Sequence, residues 1–175
     1  MNKGRRATVQ KRSVLLIGGL FVFISVLIAR FISNARMEPD MALILTIYCA
    51  LYLEGRVGVL LPLFAGAYVG SFSVFPVEFM ILYPALYFSI RFVTSFFQLR
   101  FVGYPMFLAF TLEFVVGAIY ALGIFLKQPE VFSLEVVSKI IATQAFLTSL
   151  FLPPIFLVFE RFSKGPSSLF RRATQ

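Results

Sequence analysis

Two charged side chains stand out because each lies inside a long apolar run. Glu113 is near the middle of the run 101–126, and Arg91 lies within the run 77–97. A carboxylate at that depth in a membrane must be protonated, face a partner or line a polar cavity, so it is a functional candidate. The helical rise puts Arg91 about 9 Å and Glu113 about 18 Å from the connected ends of their helices. We therefore predict an intramembrane ion pair between Arg91 and Glu113, with a purely structural pair as the plainer alternative.

Other reactive groups are few. The chain has no His, no Trp and a single cysteine, Cys49, which lies in an apolar run and is interpreted as a small packing residue. Imidazole metal sites, His-assisted nucleophiles and disulfides within one chain are therefore excluded. No nucleophile accompanies Arg91 or Glu113, so an intramembrane enzyme is disfavoured. No catalytic, cofactor or metal site is predicted.

Asp40 and two glycines mark the central stretch of the chain, 39–76. Asp40 follows Pro39 and can cap a helix, because its carboxylate accepts hydrogen bonds from the first free backbone N–H groups. Gly66 and Gly70 are four residues apart and would give a helix a smooth face. Packing within the chain is the favoured role for that face. Asp40, Gly66 and Gly70 are nevertheless the candidates for a partner interface.

Composition identifies the class of protein that must position these groups. Of 175 residues, 59% are hydrophobic and only 14% are charged, and the mean hydropathy is +0.90. A water-soluble domain normally has about a quarter of its residues charged, so we predict an all-α integral membrane protein with a single transmembrane domain, 13–159. Basic tails flank it at 1–12 and 160–175. About six spans are expected, at 13–31, 41–53, 57–75, 77–97, 101–126 and 136–159.

For three of these spans the sequence indicates an alternative or an irregularity. The first could instead be a secretory signal peptide, since Ser33-Asn34-Ala35 has the spacing of a cleavage site, but its apolar run is longer than usual. The second is short enough to be tilted or re-entrant. Pro153-Pro154 is expected to kink the sixth.

Charge distribution predicts the orientation. With six spans, twelve of the sixteen Lys and Arg residues fall on the side of the two tails and four on the other. By the positive-inside rule both termini are cytoplasmic, and a five-span arrangement is disfavoured because it separates two basic tails. The tails are suited to an anionic lipid surface, and a nucleic-acid role is the weaker interpretation.

The order of these pieces resembles the family of the rod shape-determining protein MreD. The resemblance covers nearly the whole chain. It rests on a basic tail and first span, Pro39-Asp40 opening a short segment with Tyr48 and Tyr52, a glycine-containing hinge, the Gly66-x-x-x-Gly70 span, a Ser/Pro turn at 73–76, and a last span ending in Leu-Pro-Pro-Ile-Phe. Where the family often has an Asp after its glycine-rich helix, this chain has Ser71-Phe72-Ser73, and Glu78 is the acid that could substitute.

The resemblance implies a non-enzymatic, multi-pass subunit of the bacterial inner membrane. Its expected partners are MreC, RodA, a penicillin-binding transpeptidase and the actin-like MreB, in the complex that elongates the peptidoglycan of rod-shaped cells. No small-molecule substrate is expected. The alternative is the substrate-binding membrane subunit of a vitamin-type transporter, whose six short helices look similar and could share this fold. Such a subunit needs a polar pocket near the outer leaflet, for which the sequence offers Asp40, Glu78, Gln144 and Thr148.

Overall fold

The computed structural model describes residue 20 and residues 39–53, 55–71, 76–96 and 103–164. Within these ranges all regular structure is helical, which confirms the predicted all-α class for this part of the chain. There are five α-helices and one short 3₁₀ turn: α1 Met41–Tyr52, α2 Arg56–Ser71, α3 Pro76–Phe96, α4 Tyr104–Lys127, the 3₁₀ turn Pro129–Val131, and α5 Leu134–Lys164. The predicted tail 1–12 and, apart from Leu20, the predicted first span 13–31 lie outside the described residues.

Three helices are long and apolar enough to cross a membrane. They are α3, α4 and the part of α5 from Leu134 to Phe159. The two helices of the central stretch are apolar but shorter, with 12 residues in α1 and 16 in α2. At about 1.5 Å per residue, α1 measures about 18 Å, well short of the roughly 30 Å hydrocarbon core of a bilayer.

Helix α1 lies at the centre of the fold. Every residue from Ala42 to Ala50 is buried, and α1 contacts α2, α3, α4 and α5. A helix that is apolar on all sides is stable only when other elements surround it. The remaining close contacts pair α2 with α3 and α4 with α5. Helix α1 therefore packs between two helical hairpins.

A glycine-containing hinge connects α1 to α2. Gly55 has a φ of +77°, a conformation that costs little only without a Cβ. Gly58 follows in the first turn of α2, where an added Cβ would approach both the Leu53 carbonyl oxygen and the Tyr87 hydroxyl to 2.7 Å. The hinge must be small because α3 packs directly against it.

Helix α5 is longer than the predicted sixth span. It continues without interruption through Pro153 and Pro154 and ends at Lys164, five residues beyond the predicted end at Phe159. Its inward face, with Ala145, Thr148 and Leu152, is at most 1% exposed. That face packs against α1 through ring contacts of Phe156 and Phe159 with Tyr48.

Candidate functional site

Four polar side chains from different parts of the fold meet at the start of α1. They are Asp40 before α1, Tyr83 on α3, Glu113 on α4 and Thr148 on α5, and we call them the Asp40 cluster. Glu113 is 2% exposed, Tyr83 1% and Thr148 0%. Each stands on the inward face of its helix, so the packing of α1 against its neighbours assembles the cluster.

Asp40 makes the most contacts in the cluster. Its Oδ1 accepts a hydrogen bond from the backbone N–H of Leu43 at 2.8 Å, which caps α1 as predicted. Its Oδ2 accepts one from the Tyr83 hydroxyl at 2.6 Å, and its own N–H donates to Thr148 Oγ1 at 2.9 Å. Negative charge at a helix N-terminus is also favoured by the helix dipole. Asp40 thus fixes the start of α1 to both α3 and α5.

Glu113 is in a different position. Its carboxyl lies close enough to Thr148, Asp40 and Tyr83 to interact with them electrostatically. Its Oε2 has no hydrogen-bond partner among the described residues, although it is fully shielded from solvent. An unpaired buried polar atom costs about 1 to 3 kcal/mol, and more when it is charged. The neighbouring side chains on the same face of α4, Ala109 and Val116, are buried and apolar.

A second polar group lies at the other end of α1. The Arg91 guanidinium donates a hydrogen bond from Nη1 to the Leu53 carbonyl oxygen at 2.9 Å, and the same nitrogen is 3.4 Å from the Tyr87 hydroxyl. Leu53 is the residue that ends α1, so Arg91 places positive charge where the helix dipole is negative.

One face of α3 supplies both ends of this arrangement. Tyr83, Tyr87 and Arg91 are spaced four residues apart and therefore lie along the side of α3 that faces α1. From Tyr83 to Arg91 the helix rises about 12 Å, whereas α1 with its caps is roughly 20 Å long. The long side chain of Arg91 covers the remaining distance to the Leu53 carbonyl oxygen at the C-terminal end of α1.

The predicted Arg91–Glu113 ion pair is not formed. Arg91 binds at the C-terminal end of α1, and Glu113 lies with Asp40 at the N-terminal end. The prediction assumed that consecutive spans pack side by side, but α3 packs mainly on α2 and α1, and α4 packs mainly on α5. The two ion pairs among the described residues are elsewhere and exposed, between Lys127 and Glu78 and between Lys139 and Glu135.

The residues predicted for a partner interface are used inside the chain. Asp40 is tied to α3 and α5, as described above. A Cβ on Gly66 would collide with the Phe79 carbonyl oxygen and come within 3.2 Å of the Tyr83 ring, so Gly66 lets α2 approach α3 closely. Gly70 is buried as well. The favoured alternative, glycine packing within one chain, describes Gly66 correctly, and a role of Asp40, Gly66 and Gly70 in a partner interface stays a prediction.

A cavity of about 270 Å³ lies between α3 and α4. Its walls are mainly apolar and include Phe79, Leu82, Val116 and Tyr120, and the Glu78 and Lys127 side chains form its polar edge. These two side chains are 3.4 Å apart and about half exposed. Neither Tyr104, at the start of α4, nor any side chain of the Asp40 cluster lines this cavity.

Sequence reasoning missed Tyr83 as a site residue and gave Thr148 only as a group available to a transporter pocket. The spacing of Tyr83, Tyr87 and Arg91 was the available signal, because three side chains with polar tips on one face of an apolar helix indicate a buried polar contact. Thr148 carries no such signal, since threonine is common in membrane helices. In the described part of the chain, no group of three or more His, Cys, Asp and Glu side chains is placed to hold a metal ion.

Comparisons with protein-family models, with curated proteins and with solved structures gave no match to this chain.

Proposed function

We propose that this protein is a non-enzymatic inner-membrane subunit of the bacterial elongation complex, binding MreC and the synthase partners RodA and a penicillin-binding transpeptidase. The proposal comes from the resemblance of the chain to the MreD family. It includes six spans with both termini in the cytoplasm, where the basic tails would meet anionic lipid and MreB.

The observation that best supports a binding role is the division between polar interior and apolar exterior. The charged groups Asp40, Glu113 and Arg91 point inward, and Asp40 and Arg91 hold the two ends of α1. The outward faces of α3, α4 and α5 are rich in exposed phenylalanine. Such outer faces meet lipid or the helices of other membrane proteins, and association with other helices is driven largely by van der Waals packing.

We propose the outward face of α3 as a partner surface in addition to the predicted candidates Asp40, Gly66 and Gly70. Phe88, Phe92 and Phe96 are spaced four residues apart and are 57%, 67% and 68% exposed. The rings of Phe92 and Phe96 also touch, at 4.8 Å between centroids. The opposite face of the same helix is fixed to α1 by Tyr83 and Arg91, so this row of rings is held on a rigid support.

Purification in mild detergent tests the function. We expect tagged protein to recover MreC, and depletion of the protein to turn rod-shaped cells round. The variant Phe92→Ala should lower the recovery of MreC, while Phe146→Ala, a similarly exposed ring on α5, serves as the matched control. Normal rods after depletion, with no MreC recovered by the wild type, would refute the proposal.

The cavity between α3 and α4 favours a second candidate, the substrate-binding subunit of a small-molecule transporter. Its volume and apolar walls suit a small ligand, and Glu78 with Lys127 could orient a polar group at the edge. Under this alternative the same purification would recover a bound small molecule or an ATPase module in place of MreC. The variant Leu82→Trp, which fills the cavity, would then abolish ligand recovery.

A further inference from the structure

We propose that the Asp40 cluster is a binding site for one small monovalent cation, either Na⁺ or a proton, held between the carboxyl groups of Asp40 and Glu113. The site does not depend on the proposed function, because it follows from the interior of the fold and not from any partner. Failure of either proposal would leave the other standing.

The balance of charge favours a cation in the Asp40 cluster. The carboxyl groups of Asp40, which is partly buried, and of Glu113, which is buried, are near enough to interact electrostatically. Among the described residues, neither forms an ion pair with a Lys or Arg side chain. Asp40 is compensated by the N-terminus of α1 and by the Tyr83 hydroxyl. Among the described residues, neither a helix N-terminus nor a Lys or Arg side chain compensates Glu113 in this way. One positive charge is therefore needed beside it, because an isolated buried carboxylate is expensive.

Glu113 also has an oxygen atom whose bonding capacity is unused among the described residues. Glu113 Oε2 is a buried oxygen without a hydrogen-bond partner, on a side chain that is only 2% exposed. The same carboxyl group lies near the oxygen-bearing side chains of Asp40, Tyr83 and Thr148. Hard metal cations bind oxygen ligands, and a buried carboxylate is also readily neutralised by a proton. The unpaired atom is thus the position at which the cation is expected.

The oxygen atoms of the Asp40 cluster are already held in place by the fold. Thr148 Oγ1 accepts a hydrogen bond from the Asp40 N–H, and its own hydroxyl hydrogen remains available to the neighbouring Glu113 carboxyl. Thr148 is therefore placed to orient Glu113 relative to Asp40. Tyr83 is held in a similar way, because its hydroxyl donates to Asp40 Oδ2. These oxygen atoms are positioned by three helices and need not be gathered by the ion.

Two measurements on the purified full chain in detergent test this proposal. The thermal unfolding midpoint is recorded in NaCl and in choline chloride at equal ionic strength, and the infrared spectrum is recorded for the C=O stretch of a protonated carboxylic acid. A saturable rise of the midpoint in NaCl identifies Na⁺, and a carboxylic acid band without that rise identifies the proton. Whichever signal is present should be lost in Glu113→Gln and kept in the matched control Glu135→Gln.

Absence of both signals in the wild type would overturn the proposal, as would a signal that persists in Glu113→Gln. If Glu113→Gln does not fold, Thr148→Val replaces it, because valine has the shape of threonine without the hydroxyl. We then expect sodium affinity to fall at least about tenfold, or the acid band to shift, since the orienting hydrogen bond is lost. An unchanged affinity and an unchanged band would contradict the site.

Discussion

The two ends of α1 are fixed by charged side chains of opposite sign, yet their surroundings differ. At the C-terminal end a single Arg91 meets the Leu53 carbonyl, and its side chain is only partly buried, so solvent or headgroups can complete its hydrogen bonds. At the N-terminal end Asp40 is joined by a second acid, Glu113, which is buried and keeps one unpaired oxygen. At the C-terminal end of α1, one Arg side chain meets the helix carbonyl group. At the N-terminal end there is one acid more than the capping of α1 requires.

This difference separates the charges that stabilise the ends of α1 from a charge that does not. A helix as short as α1 needs both ends satisfied, because its terminal N–H and C=O groups have no partners within the helix. Asp40 and Arg91 meet that need. Glu113 contributes to neither end, and natural proteins retain a costly buried charge where it has another use. The predictions below test that separation.

The largest effect is expected for Asp40→Ala. The change removes the cap of α1, worth about 1 kcal/mol, and the hydrogen bond from Tyr83 to a charged acceptor, worth about 1.5 to 3 kcal/mol. We expect the free energy of unfolding in mixed detergent micelles to fall by about 3 kcal/mol. A loss under 1 kcal/mol would mean that Asp40 does not hold α1.

Tyr83→Phe should have the next largest effect. It removes the 2.6 Å bond to Asp40 and keeps the ring, so the expected loss is about 1.5 to 2 kcal/mol. Tyr87→Phe is the matched control on the same face, and its bond to the Leu53 carbonyl is 3.5 Å long, so it should cost less than about 0.5 kcal/mol. Because Tyr83 acts through Asp40, Tyr83→Phe should add almost nothing to Asp40→Ala. Additive losses would contradict the contact.

Arg91→Met tests the other end of α1. It keeps most of the apolar stem and removes the donor to the Leu53 carbonyl, and we expect a loss of about 1 kcal/mol because solvent replaces part of that bond. Arg56→Met, at the exposed first residue of α2, should leave the unfolding free energy unchanged. A loss for Arg91→Met as large as that for Asp40→Ala would remove the distinction between the two ends.

Much of this arrangement could be predicted from the sequence. The all-helical class, the capping role of Asp40 and the unusual position of Glu113 each follow from local pattern, since a Pro-Asp pair before an apolar run and an acid within one are visible without a fold. The central position of α1 was harder to predict from the sequence. Its apolar run fits a short span or a buried helix equally well, and only the contacts with four other helices decide between them.

The pairing of charges could not be predicted, because it depends on which helices are neighbours. Arg91 and Glu113 lie on consecutive helices, and the shortest connection in sequence suggested a contact. In the fold, α1 lies between the two hairpins, so each charge reaches a different end of α1. The role of Tyr83 was not predicted for the same reason, since its partner Asp40 lies 43 residues away in sequence.

The most direct test of the central claim, that Asp40 is structural and Glu113 is surplus to stability, is a comparison of Asp40→Asn with Glu113→Gln. Both replace a carboxyl by an amide of similar shape, and both are measured by the free energy of unfolding in sodium-free buffer, with Glu135→Gln as the exposed control. We predict a loss of at least about 1.5 kcal/mol for Asp40→Asn, because a charged acceptor is lost. Glu113→Gln should cost less than about 0.5 kcal/mol or stabilise, since it removes an uncompensated acid. Equal losses for the two variants would contradict the claim.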